Sequence, residues 1–122
     1  RHNTHEDYLQ FDIASYDFGL VAVDDDSANT RFNIQYFGSD FINDCKPPYI
    51  DGENSNYFRV YSTNCKEVFT TNNSSCFVEV QAIPRSNMED LGIGEHTANL
   101  VVECGADDNL YQITAEITAI GY

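Results

Sequence analysis

Small apolar and polar residues alternate along several segments of the chain, most clearly from Ser75 to Pro84. In an extended strand every second side chain points to the same side. One side of this strand would carry small apolar residues, namely Cys76, Val78, Val80 and Ala82. Proline lacks the N–H that a sheet ladder requires, so Pro84 ends the strand.

The same alternation predicts further strands at 9–13, 16–23, 31–36, 57–61, 97–104 and 110–120, and a short one that begins at Phe41 and Ile42. Gly19 interrupts the second of these, as at a bulge or where a strand changes sheets. Segments 46–56 and 86–94 are predicted loops. With no helical stretch between them, these strands indicate one all-β sandwich domain over residues 9–122, after a flexible leader at residues 1–8.

Twenty acidic residues against six basic ones give a formal charge of −14. Nucleic acid needs a basic footprint that displaces counterions, so we expect no nucleic-acid partner. Attraction to anionic membranes is disfavoured for the same reason, and we expect no direct membrane insertion. The chain begins at Arg1 rather than at a methionine, and we expect it to be part of a longer multidomain chain.

The four cysteines have no spacing typical of a zinc site. An even number in a small domain indicates two disulfides and an oxidising compartment, although free buried cysteines are the other interpretation. Three pairings are possible. Cys65 and Cys76 flank a polar, turn-rich loop that is easily closed, which leaves Cys45 to pair with Cys104.

Six motifs follow one another in the chain: YDFGLVAV (16–23), TRFNIQYFG (30–38), IDG with NYF (50–52 and 56–58), SCFVEVQAIP (75–84), GEHTANL (94–100) and AIG (119–121). Their order resembles that of choice-of-anchor D and ASH/hydin-type domains. The resemblance implies an immunoglobulin-like antiparallel β-sandwich of seven to eight strands. The chain departs from the family pattern at Asp24, Asp25 and Tyr36. A true immunoglobulin domain is disfavoured because the chain has no tryptophan for the Cys…Trp…Cys pattern.

The resemblance also implies a function, a structural or adhesive module of secreted and surface proteins without catalytic residues. In bacterial members a preceding cysteine pairs with the one in the "SC" strand, which would join Cys65 to Cys76. We therefore expect a non-enzymatic spacer or adhesive module of a bacterial protein, located outside the cell, on its surface or in the periplasm. The alternative is a carbohydrate-binding accessory module of a larger secreted enzyme. In either case the partner of the domain would be a protein or glycan surface.

Nucleophilic catalysis needs a base beside the nucleophile, and the chain offers only three histidines for that role. His2 and His5 lie in the leader, and His96 follows a Gly-Ile-Gly turn, where we expect it on the surface. With Glu6 and Asp7, the leader histidines could bind zinc or copper, but a solvated tail is the simpler interpretation.

Three further groups of residues are candidate binding or modification sites. Calcium is the possible cofactor, because carboxylates on turns supply hard oxygen ligands, here Asp24, Asp25 and Asp26 with Asp107, Asp108 and Asn109. Such residues also favour turns without any ion. Asn72 and Asn73 are possible glycosylation acceptors. Tyr49, Tyr57 and Tyr61 would form a carbohydrate- or protein-binding face if exposed, whereas tyrosines also pack in sandwich cores.

Overall fold

The structure is a computed structural model that describes residues 9–38, 41–70, 74–105 and 110–122. Eight strands follow one another: β1 (Leu9–Phe11), β2 (Ser15–Val21), β3 (Thr30–Tyr36), β4 (Tyr49–Asp51), β5 (Phe58–Thr63), β6 (Ser75–Ala82), β7 (Gly94–Cys104) and β8 (Tyr111–Gly121). A short 3-10 helix, Ser55–Tyr57, precedes β5. The predicted all-β sandwich is confirmed.

The strands form two four-stranded sheets. Sheet one has the order β1-β3-β6-β5, and sheet two has the order β2-β8-β7-β4. These orders correspond to the A-B-E-D and C-F-G sheets of an immunoglobulin-like sandwich, with β2 added beside the last strand. Every neighbouring pair is antiparallel except β2 and β8, which run parallel. The chain leaves sheet one after β1 and joins sheet two at β2.

The period-two pattern places the core between the sheets. On β6 the predicted inward residues are buried, and alternate residues of β3, β7 and β8 are buried as well; the buried residues of these strands include Phe32, Ile34, Cys76, Val78, Val80, Ala82, Ala98, Leu100, Val102, Ile113, Ala115 and Ile117. Burying one such valine or leucine side chain contributes about 1.5–3 kcal/mol. Register is therefore fixed, because a one-residue slip would expose a whole strand face.

Gly19 lies at a bulge, as the sequence indicated. The register of β2 against β8 shifts between Asp17 and Leu20. Gly19 has a φ of 72°, a conformation that glycine adopts without a steric cost, and its N–H donates to Asp17 Oδ1 at 2.8 Å. The change of sheet occurs earlier, between Phe11 and Ser15.

The strand between β3 and β5 was predicted at the wrong place. Ile42 forms only an isolated bridge with Phe69, whereas β4 lies within the segment that was predicted to be a loop. Strand β4 has three residues, Tyr49–Asp51. A strand of three residues is too short to show an alternation of polar and apolar side chains, and the two prolines that precede β4 favoured a loop.

Candidate functional site

Two disulfides hold one end of the sandwich, and they join the predicted partners. Cys45 bonds Cys104 across 59 positions of the sequence, and Cys65 bonds Cys76 across 11. The first ties the β3–β4 loop to the end of β7, and the second closes the β5–β6 loop. Two disulfides indicate folding in an oxidising compartment.

The two disulfide-bonded loops also pair with each other. Ile42 and Phe69 exchange backbone hydrogen bonds of 2.9 and 2.8 Å, and the Cys45 N–H donates to the Glu67 carbonyl at 2.9 Å. Between the loops lies a groove of about 850 Å³, lined by residues 44–47 and 65–68. Both lysines of the chain, Lys46 and Lys66, line this groove.

Glu103 is the centre of a polar cluster beside the first disulfide. Its side chain is buried and accepts hydrogen bonds from Tyr49 Oη at 2.8 Å and from Gln112 Nε2 at 3.2 Å. Lys46 Nζ lies 2.9 Å from Glu103 Oε2. The hydrogen bonds from Lys46 and Tyr49 hold the pKa of Glu103 below its usual value, and Glu103 in turn raises the pKa of Tyr49. The carboxylate fastens β4 to β7 and β8.

A second cluster joins His96, Tyr57 and Asp90. His96 is 3% exposed, so the prediction of a surface histidine is wrong. It occupies an inward position of β7, and its ring stacks on Tyr57 with centroids 3.6 Å apart and planes inclined by 14°. His96 Nε2 donates to the Gly92 carbonyl at 3.0 Å, and its Nδ1 lies 3.8 Å from Asp90 Oδ2.

Asp90 completes this cluster by accepting two hydrogen bonds. Tyr57 Oη donates to Asp90 Oδ1 at 2.6 Å, and the Gly92 N–H donates to the same oxygen at 2.9 Å. The bond from Tyr57 is the main reason that the pKa of Asp90 lies below its usual value, and the same bond raises the pKa of Tyr57 to about 12. These contacts fasten the 85–94 loop to the sandwich.

Two of the three predicted calcium ligands at residues 24–26, Asp24 and Asp26, accept hydrogen bonds from protein donors. Arg59 Nη2 donates to Asp26 Oδ2 at 3.2 Å, and Arg85 Nη2 donates to Asp26 Oδ1. The Arg85 bond lowers the pKa of Asp26. Asp24 Oδ1 accepts the Ser86 N–H at 2.9 Å, which lowers the pKa of Asp24. Within the described residues, no group of three or more His, Cys, Asp or Glu side chains is placed to hold a metal ion.

Other predicted residues lie outside the described ranges. They are the leader residues His2, His5, Glu6 and Asp7, the glycosylation acceptors Asn72 and Asn73, and the turn residues Asp107, Asp108 and Asn109. The calcium site and the glycosylation sites stay predictions.

The three tyrosines do not share a face. Tyr49 lies in sheet two, whereas Tyr61 lies in sheet one and is 53% exposed. Tyr57 is 7% exposed and packs in the core against His96. The alternative interpretation, tyrosines as core and edge residues, describes Tyr57 correctly.

The outer face of sheet one carries a polar pocket that the sequence analysis did not identify. It has a volume of about 80 Å³ and is lined by Gln10, Phe11, Asp12, Asn33, Gln35 and Phe37. Asn33 and Gln35 are exposed on β3, and their contact with Gln10 and Asp12 depends on the β1–β3 pairing. No local pattern specifies that pairing.

Comparison with known proteins shows the fold alone. No protein-family model matches the sequence, and no curated protein matches it significantly. The structure is similar to that of the VesB protease of Vibrio cholerae, with 16% identity and a TM-score of 0.61 over 95% of this chain and 32% of that one. A protein of unknown function from Porphyromonas gingivalis W83 matches at 11% identity and a TM-score of 0.62, over 93% of this chain and 46% of that one.

A third similar structure is the family 123 glycoside hydrolase of Clostridium perfringens, studied for glycolipid glycan hydrolysis. It matches at 12% identity and a TM-score of 0.51, over 88% of this chain and 22% of that one. This chain therefore spans less than half the length of each of the three similar structures. No helix in the described part of the chain is long and apolar enough to cross a membrane.

Proposed function

We propose that this chain is a non-enzymatic structural and interaction module, a spacer or adhesive domain of a secreted or cell-surface bacterial protein. The proposal is supported by the structural role that the cysteines and the described histidine have in this domain. All four cysteines form disulfides, and His96, the one histidine in the described part, is buried between Tyr57 and the Gly92 carbonyl. A histidine whose Nε2 proton is held by a backbone carbonyl is oriented for packing rather than for proton transfer to a substrate.

Two observations support a place within a longer extracellular chain. The disulfides fit the periplasm or the outside of a cell, where thiols are not kept reduced. The sandwich is also similar to portions of much longer chains, 32% of a protease and 22% of a glycoside hydrolase. The motif order that resembles choice-of-anchor D and ASH/hydin-type domains agrees with this role.

The test is cell fractionation of the source organism with an antibody raised against this domain. The expected result is a band larger than 13.8 kDa in the extracellular, surface or periplasmic fraction. Alkylation of free thiols before lysis should leave all four cysteines unlabelled. A cytoplasmic band whose cysteines react with the alkylating reagent would contradict the proposal.

A further inference from the structure

We infer that the pocket on the outer face of sheet one, here called the β1–β3 pocket, is a binding subsite for a neutral oligosaccharide. This inference rests on the proposed function, since it names a ligand for the interaction module. The pocket is lined by Gln10, Phe11, Asp12, Asn33, Gln35 and Phe37, and it brings three amides, one carboxylate and one exposed ring together.

Two polar residues of the pocket, Asp12 and Asn33, hold each other in place. The Asp12 N–H donates to the Asn33 carbonyl at 2.9 Å, while Asp12 Oδ1 accepts the Asn33 N–H at 2.8 Å. Asn33 Nδ2 donates to Asp12 Oδ2 at 2.9 Å, which fixes the orientation of the amide, because an ionised carboxylate can only accept. Among the described residues no other partner binds Asn33 Oδ1 or its second Nδ2 proton, so both can bind a ligand.

Gln10 and Gln35 lie opposite each other in the β1–β3 register, on the same outer face. Both are exposed, and within the described residues neither side chain forms a hydrogen bond to the protein. Each amide offers donors and an acceptor at one end, which matches sugar hydroxyls that both donate and accept.

Phe37 supplies an apolar surface beside these amides. Its side chain is 59% exposed, although it lies next to the buried Tyr36. The backbone after Phe37 passes close to the Tyr36 ring, and a Cβ at Gly38 would clash with that ring. The neighbouring ring on this face, Phe77, is covered by the Arg31 guanidinium at 3.8 Å from its centroid. Phe37 is therefore the ring of this pair that a ligand can contact.

The volume of the pocket indicates how a sugar would enter it. About 80 Å³ equals two to three water molecules at about 30 Å³ each. That space admits a hydroxymethyl group or a pair of hydroxyls, while the sugar ring lies over Phe37. A second pocket of about 270 Å³ is also lined by Gln10 and Phe11, together with Ile113 and Thr114 of β8. A ligand longer than one sugar is therefore favoured.

The ligand should be uncharged. The chain carries a formal charge of −14, so anionic polysaccharides would be repelled at long range. A proline-rich peptide would need a groove lined by several aromatic rings, whereas this pocket has three amides and a single open ring. A neutral oligosaccharide is not repelled by the net charge of the chain, and its hydroxyls can form hydrogen bonds with the three amides of the pocket.

The test is calorimetric titration of the folded protein with cellohexaose, xylohexaose, mannohexaose and chitohexaose, the corresponding monosaccharides, heparin and a proline-rich decapeptide. We expect at least one neutral hexaose to bind, more tightly than its monosaccharide, with no binding of heparin. Phe37→Ala and Gln35→Ala should each weaken binding about tenfold, which corresponds to about 1.4 kcal/mol. The control Leu20→Ala truncates an exposed apolar side chain of β2 in sheet two, outside the pocket, and should change affinity less than about twofold.

The inference is overturned if no neutral hexaose binds, if only the peptide binds, or if Phe37→Ala and Gln35→Ala bind as tightly as the wild type. Circular dichroism should show that each variant retains its β structure. Absence of sugar binding in a protein found in the extracellular fraction would overturn this inference alone. Cleavage of a bound hexaose would contradict the non-enzymatic function instead.

Discussion

The imidazole of His96 stacks on the phenol ring of Tyr57 with centroids 3.6 Å apart, and both rings are bound to the 85–94 loop. Tyr57 binds the loop through Asp90, and His96 binds it through the Gly92 carbonyl. The loop therefore depends on two aromatic side chains that come from the 3-10 helix and from β7. Contacts of this kind between separate elements stabilise the fold as a whole.

Replacement of His96 by alanine should destabilise the protein. The variant leaves a cavity beside Tyr57 and removes the hydrogen bond to Gly92, at a cost of about 3 kcal/mol. Urea denaturation followed by circular dichroism measures the change. Tyr61→Ala, which truncates an exposed ring, is the control and should stay within about 0.5 kcal/mol of the wild type. Equal stabilities of the two variants would show that the stack does not hold the fold.

The Tyr57–Asp90 hydrogen bond predicts loss of stability in alkali. The pKa of Tyr57 is raised from 10.0 to about 12, so folding favours the protonated phenol. This stabilisation is fully present below pH 10.0 and is lost as the pH rises towards about 12. Besides Tyr49, whose pKa is also raised, tyrosinate absorbance should show a late-titrating tyrosine that is missing in Tyr57→Phe. A wild type and a Tyr57→Phe variant with identical titrations would contradict the assignment.

The Tyr57–Asp90 hydrogen bond also predicts loss of stability in acid, because it lowers the pKa of Asp90. The pKa of Asp90 lies below its usual value of 3.8, so folding favours the carboxylate. Its contribution is present above pH 3.8 and is lost as the pH falls through the folded-state pKa. Asp90→Asn should make the unfolding free energy less dependent on pH in this acid range. An unchanged pH dependence in Asp90→Asn would argue against it.

The two disulfides should contribute unequally to stability. In the chain-entropy model, a cross-link over 59 positions stabilises by about 4 kcal/mol and one over 11 positions by about 3 kcal/mol. The paired variant Cys45→Ser/Cys104→Ser should therefore unfold at lower urea concentration than Cys65→Ser/Cys76→Ser. The reverse order would mean that contacts of the sulfur atoms outweigh loop closure.

Calcium should leave the melting temperature unchanged at constant ionic strength. Asp26 already accepts hydrogen bonds from Arg59 and Arg85, and a cation would have to displace both guanidinium groups. Thermal melts in millimolar calcium and in sodium chloride of matched ionic strength measure the effect. A rise specific to calcium, lost in Asp26→Asn, would establish the predicted site at residues 24–26.

The sequence was sufficient to predict the sandwich, because burial on one side of a strand enforces a period of two. On β6 and β7 the pattern identified the inward residues, and the polar loop between Cys65 and Cys76 indicated the disulfides. Strand β4 was missed because three residues carry almost no periodic signal.

The polar clusters could not be predicted from the sequence, for a different reason. His96 lies on the same inward face of β7 as Ala98 and Leu100. This alternation indicated that His96 is buried, but the neighbouring glycines favoured a turn at the surface. Its partners Tyr57 and Asp90 come from distant segments. The β1–β3 pocket likewise forms only after β1 pairs with β3, which no local pattern specifies.

We propose that the reactive residues of this domain hold the fold and do not catalyse a reaction. Turnover of p-nitrophenyl esters, phosphates and glycosides and of peptide p-nitroanilides by the wild type and by His96→Gln tests it most directly. We predict no turnover above buffer for either protein. Turnover by the wild type that a folded His96→Gln variant lacks would contradict the claim.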